Sequence, residues 1–266
     1  MTNIIQRHPF HLVDKSPWPF AVSVASLATT TGFVLYMHFY SQGIIVFYLG
    51  LFSLIFLAFN WWRDIIREST FQGHHTKKVQ KGLKYGMLLF IVSEIMFFFA
   101  FFWAFFSASL SPSHELGCFW PPPGIDVLNA WEIPLLNTSI LLLSGATCTW
   151  AHNLIVIGKR KEAIISLGLT IFLGVFFTFL QAFEYLSSNF SMSDSIYGSV
   201  FFLSTGFHGL HVALGTLFLI VCLIRLNNHH FTVQHHFGFE AAAWYWHFVD
   251  CVWLFLFVAI YWWGGL

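Results

Sequence analysis

Residues 63–84 read RDIIRESTFQGHHTKKVQKGLK, and this one stretch holds six of the chain's twelve Lys and Arg residues. It separates two apolar runs, Ile44–Trp62 and Lys84–Phe106. Each is close to the roughly twenty residues that a helix needs to cross the hydrocarbon core of a bilayer. Working outward, five more such runs follow the same pattern: Pro17–His38, Leu135–Ile157, Ala163–Phe183, Tyr197–Ile224 and Glu240–Trp262. None alternates in the manner of a barrel strand, so the spans are read as helices. Composition agrees. Of 266 residues 57% are hydrophobic and 9% charged, against roughly a quarter charged in soluble globular chains.

The remaining cations fix the orientation. Arg7 and Lys15 precede the first run, Lys159, Arg160 and Lys161 divide the fourth from the fifth, and Arg225 closes the sixth. With seven spans, all twelve fall on the N-terminal side. Glu115, Asp126, Glu132, Glu184 and Asp194 are assigned to loops on the other side, which carry no Lys or Arg. The positive-inside rule then places the N-terminus inside and the C-terminus outside. An error of one span would scatter the cations over both faces. The inside stretch 63–84 reads as a long loop, with Arg63–Arg67 continuing the second helix past the interface. Outside, Trp120-Pro121-Pro122-Pro123-Gly124 cannot be helical and reads as a rigid cap.

A net charge of zero offers no case for nucleic-acid binding. The four cysteines form no CxxC pair and read as packing residues. Residues 1–15 show neither the apolar core of a secretory signal nor the Arg-rich character of a transit peptide. Thirty-four phenylalanines suit an A/T-rich, organellar coding genome.

Ionisable groups inside a span are candidate functional residues, because burying them uncompensated costs several kcal/mol. Glu94 lies ten residues beyond Lys84, about 15 Å deep at 1.5 Å per residue. Asp250 lies at a similar depth beyond Glu240, with His247 one turn before it, and His208 and His211 share a face of the sixth span. Two readings stand. The five form a proton-linked or cofactor-binding centre, or they pair with one another as interhelical contacts. A hydrogen bond from Glu94 to His208 or His211 is expected on either.

The fourteen histidines do not supply paired haem ligands: no histidine stands thirteen or fourteen positions beyond His38, His152, His208 or His211. His74-His75, His229-His230 and His235-His236 fall in inside loops, as solvated or headgroup-facing side chains. No metal site and no catalytic residue is expected in this chain. The inside rim does suit anionic headgroups, with Trp61 and Trp62 as interfacial anchors beside Arg63, Arg67, His75 and Lys77–Lys84. Each cation there attracts such lipid by about 1 kcal/mol, although the same cations would serve as plain topology signals.

Long strings of the chain are similar to one family. They include Trp61-Trp62-Arg63-Asp64, Arg67-Glu68-Ser69-Thr70, Gly73-His74-His75-Thr76, Ser93-Glu94, Trp120-Pro121-Pro122 and Pro134-Leu135-Leu136-Asn137-Thr138. Gly206-Phe207-His208-Gly209-Leu210-His211, His235-His236-Phe237-Gly238-Phe239-Glu240 and Trp244-Tyr245-Trp246-His247-Phe248-Val249-Asp250 complete the set. The chain resembles subunit III of cytochrome c oxidase, in its mitochondrial form, over nearly its whole length.

The resemblance implies a core subunit of the complex that passes electrons from cytochrome c to dioxygen and pumps protons. Such a subunit is a non-catalytic part of an oxidoreductase, with haem and copper carried by partner subunits. It implies a fold of seven transmembrane helices, two and five of them on either side of a V-shaped cleft that holds phospholipid. On that division, residues 1–66 form the N-terminal segment and first two helices, and 67–266 the matrix-side loop and five-helix bundle. Glu94 matches the family's buried carbodiimide-reactive glutamate, and Trp62, Arg67, Glu68, His75 and Arg225 match cleft positions that hold lipid headgroups. Subunit I, other oxidase subunits and a respiratory supercomplex are the implied partners, and the inner mitochondrial membrane the implied place. Asn153 stands where the family often has a second histidine, and Gly117-Cys118-Phe119 varies a glycine-rich string.

Three other readings use the same residues. A secondary transporter coupling through Glu94 and Asp250 would call for repeats and broken helices, which the sequence lacks. A membrane haem protein would need ligands that the histidine spacing does not supply. A subunit III serving a quinol oxidase would share the fold and differ in its partner's copper centre.

Overall fold

The computed structural model describes residues 8–114 and 117–265, so Arg7 and Glu115 lie outside the described residues. Their regular secondary structure is helical, with no strand among them. In chain order the helices are α1 (Trp18–Met37), α2 (Gly43–Thr70), α3 (Lys77–Leu110), α4 (Ile133–Ile157), α5 (Arg160–Ser187), α6 (Ser195–Asn227) and α7 (Phe237–Leu256). The last continues as a π-helical turn, Phe257–Trp262, and a 3-10 turn, Trp263–Gly265. All seven are long and apolar enough to cross a membrane. In hydrocarbon a helix satisfies its backbone N–H and C=O groups within its own segment, which is why uninterrupted apolar runs take this form.

The helices outrun the apolar segments that announce them. α2 continues through Arg63 and Arg67 as expected, but reaches Thr70, and α3 already begins at Lys77. The long inside loop therefore contracts to residues 71–76. Charged residues prolong a helix past the interface because their stems lie along its surface while their ends reach water. Every described Lys and Arg lies before or at the start of α1, α3 or α5, at the end of α2 or α6, or in the α4–α5 turn. The observed boundaries thus preserve the one-sided charge.

The chain divides into two compact units, Met1–Leu83 and Lys84–Leu266. In the first, α1 and α2 approach closely at glycines. A Cβ on Gly32 would stand 2.3 Å from the Phe47 backbone nitrogen, and one on Gly50 2.6 Å from that of Thr29. Small residues at such a crossing let dispersion contacts replace the hydrophobic drive that lipid does not supply. Residues beyond α2 belong to this unit through their own contacts. Thr76 Oγ1 donates to the Pro9 carbonyl at 2.6 Å, His11 stacks on His74 at 4.9 Å, and Lys78 lies over the Phe10 ring.

The second unit is built around α7, which carries two wholly buried indoles one heptad apart, Trp246 and Trp253. Trp246 Nε1 donates to Ser144 Oγ at 2.9 Å and Trp253 Nε1 to Thr138 Oγ1 at 2.9 Å, so both tie α7 to α4. Gly174 of α5 and Gly215 of α6 make room for the Trp246 ring; a Cβ at Gly174 would come within 2.7 Å of it. The edge of Phe177 meets Trp253 at 4.9 Å between ring centres. Gly158, at φ +86°, ends α4 in the left-handed conformation that glycine adopts without strain, and α5 starts two residues later. Large side chains such as Phe52, Leu89 and Phe255 face outward, as lipid-exposed positions should. The Trp120–Gly124 segment is non-helical, as expected, and its Trp120 ring lies 5.5 Å from Phe105 and 5.4 Å from Tyr197.

Candidate functional site

Glu94 stands on the inward side of α3, and its Oε2 lies 2.9 Å from His211 Nε2 on α6. Of the two sixth-span histidines, His211 is the partner. The other ring nitrogen of His211, Nδ1, lies 2.6 Å from the Phe207 carbonyl, an acceptor only, so Nδ1 carries a hydrogen. A neutral imidazole would then turn a lone pair toward the carboxylate. The contact therefore holds a proton between Nε2 and Oε2, as imidazolium with carboxylate or as imidazole with carboxylic acid. Phe98 packs against the His211 ring at 5.0 Å, with Phe97 and Tyr245 around it. The Glu94 side chain keeps 21% of its surface open.

The other intramembrane groups do not join this pair in one cluster. His208, fully buried, points to α7, its Nε2 3.1 Å from the Val249 carbonyl. His247 reaches α4 through Thr149 Oγ1 at 3.3 Å, and its Nδ1 lies 3.8 Å from Asp250 Oδ2. Asp250 is buried over Gly145, where a Cβ would come within 2.6 Å of Oδ2. His208 and His247 thus tie α7 to α6 and α4 through a backbone carbonyl and a hydroxyl, while His247 and Asp250 face each other within α7.

On the first unit, Asp64 organises the basic end of α2. It accepts from Trp18 Nε1 at 2.7 Å and from Arg63 Nε at 3.1 Å, and Arg67 Nη1 lies 3.7 Å away. Glu68 lies 3.9 Å from His11, and Trp62 is largely exposed. The His75 carbonyl accepts from Gln80 at 2.9 Å. On the second unit, Arg225 lies over the Phe231 ring at 4.5 Å and against Gly238. Its charge, together with burial as the larger cause, holds His230 and His235 below the ordinary imidazole range. Arg225, in the last turn of α6, is thus half-buried against Phe231 and Gly238.

Two features escaped the sequence reading. Glu184, taken for a loop residue, lies inside α5 and is buried, its Oε1 accepting from Tyr261 Oη at 2.6 Å. Gln181 Nε2 reaches the same hydroxyl at 3.4 Å. The available signal was the Gln181/Glu184 spacing of one helical turn. His236, taken for a solvated loop residue, is buried at the N-terminus of α7, 3.5 Å from Glu240. A ring nitrogen of His152, the near nitrogen of His236 and a Glu240 oxygen lie within 4.8 Å of one another.

A sequence model of the family described as cytochrome c oxidase subunit III matches residues 8–265. The chain is 63% identical to cytochrome c oxidase subunit 3 of Prototheca wickerhamii, over 98% of this chain and 100% of that protein. It is 62% identical to that of Arabidopsis thaliana over 98% of each, and 60% identical to that of Chondrus crispus over 98% of this chain and 96% of that one. Family match, seven spans and relatives agree over nearly the full length, and the chain belongs to the cytochrome c oxidase subunit III family.

Proposed function

We propose that this chain is the subunit of a terminal oxidase that stabilises subunit I, holds structural phospholipid and supports proton uptake, while haem and copper reside in partner subunits. Its place is the inner mitochondrial membrane, basic face toward the matrix, with the gene in the organelle and a respiratory supercomplex as a further partner. Electrons pass from cytochrome c to dioxygen elsewhere in the complex.

The observation that carries the proposal is the Glu94–His211 pair. A carboxylate about 15 Å along a helix, sharing one proton with an imidazole and partly open at the surface of the chain, can exchange that proton with a neighbouring subunit. It has no means of moving electrons. Its role is to tune proton supply, or the field felt by groups in subunit I.

Headgroup binding is proposed at the basic end of the first unit, where Trp62 offers an exposed indole, Arg67 pairs with Asp64, and Glu68 and His75 both lie beside His11. Arg225 is the candidate headgroup ligand of the second unit, held in place by Phe231. Visible spectroscopy tests the absence of a redox centre. The purified chain should show no haem absorption, and the oxidase depleted of it should keep its full haem spectrum. A haem band that follows the isolated chain would overturn the assignment.

A further inference from the structure

The geometry points to a divalent-cation site of the zinc type at the basic end of the second unit, formed by His152 of α4 and His236 and Glu240 of α7. Nothing in the oxidase reading requires it, and it stands on three observations. First, His236 Nδ1 lies 3.0 Å from the Thr232 carbonyl, so it carries the ring hydrogen. Histidines that ligate metal are oriented in this way, by donating the far N–H to a carbonyl.

Second, the lone pair on His236 Nε2 then faces Glu240 Oε1 across 3.5 Å, acceptor to acceptor. Two such atoms repel unless a cation stands between them. The gap is wide for a charge-assisted hydrogen bond, which closes to about 2.7–2.9 Å. It matches the roughly 3.4 Å between two ligands of a tetrahedral ion with bonds near 2.0–2.1 Å. Third, His152 brings a further nitrogen to the same point, all three donor atoms lying within 4.8 Å. The other Glu240 oxygen, Oε2, is held by Lys84 of α3, which fixes the carboxylate and leaves Oε1 to the site.

Two imidazoles and one carboxylate are a donor set suited to zinc, with a fourth position left for water. His236 is buried, while His152 and Glu240 are half-buried.

The test uses the assembled oxidase, dialysed against buffered Zn2+ and assayed for metal by mass spectrometry. The wild-type complex should retain one zinc more per complex than His236→Gln or Glu240→Gln. Equal zinc in wild type and both variants would overturn the proposal. Should a variant fail to assemble, anomalous diffraction at the zinc edge from wild-type crystals soaked in Zn2+ decides. A peak about 2.0–2.2 Å from the His152, His236 and Glu240 donor atoms supports the site, and its absence at saturating zinc rejects it.

Discussion

If the Glu94–His211 contact holds a proton, its variants should rank by what they leave unpaired, not by the atoms they remove. Glu94→Gln keeps a hydrogen-bonding partner: the amide N–H donates to the His211 Nε2 lone pair across the observed 2.9 Å. The loss is that of charge assistance alone, about 1 kcal/mol. Glu94→Leu leaves Nε2 facing Phe97 and Phe98 with nothing to bond, at about 1–3 kcal/mol for a stranded polar group. His211→Leu strands the carboxyl group instead. Its 21% residual exposure gives it some relief, so the cost stays within that same range of about 1–3 kcal/mol. The double variant Glu94→Leu/His211→Leu should recover part of the sum, by roughly 0.6 kcal/mol or more. The assay heats the purified oxidase in detergent and follows the fraction of this subunit that stays with the complex. Equal losses for Gln and Leu at position 94, or strict additivity in the double variant, would show that no proton is held between Glu94 and His211.

Three further outcomes follow from the packing. Gly145→Val puts a side chain where Asp250 Oδ2 lies 2.6 Å from a built Cβ, and should destabilise the α4–α7 contact by about 1–3 kcal/mol in the same assay. Trp246→Ala opens a cavity among α4, α5, α6 and α7 and should cost about 3–5 kcal/mol, whereas Trp246→Phe loses chiefly the Ser144 bond, about 1 kcal/mol. His230 and His235 are held below the ordinary imidazole range, so the unfolded chain binds more protons than the folded one between the two sets of values. Stability should therefore fall as pH drops from about 6.5 and level off once the folded-state values are passed; thermal melts across that window, flattened in His235→Asn, check the sign.

The number of spans and the sidedness of the charge were legible because both are local properties of the chain: run length and cation position. Helix ends were less so. Hydropathy marks where lipid stops, yet α2 runs past the expected Arg67 to Thr70 and α3 begins as early as Lys77, so Glu68 and Lys77 sit on ordered turns rather than in a loop. Glu184 was misplaced for the same reason. It follows Phe183, where the apolar run ends, while α5 continues to Ser187 and turns it toward Tyr261, 77 residues away. His236 looked solvated because sequence neighbours suggested a loop, whereas the start of α7 folds back onto the bundle and buries it. Glu94's partner was expected on the sixth span, where His208 and His211 share a face. Which of two histidines a turn apart it meets depends on helix rotation, set by Phe98 and Tyr245 packing across the interface.

In the proposed role Glu94 and His211 serve proton supply in a subunit that carries no electrons. Oxygen consumption by the fully assembled Glu94→Gln oxidase, measured beside its haem spectrum, separates proton supply from electron transfer. The expected result is an unchanged spectrum with a modest loss of turnover. Complete loss of electron transfer in an assembled complex would contradict it.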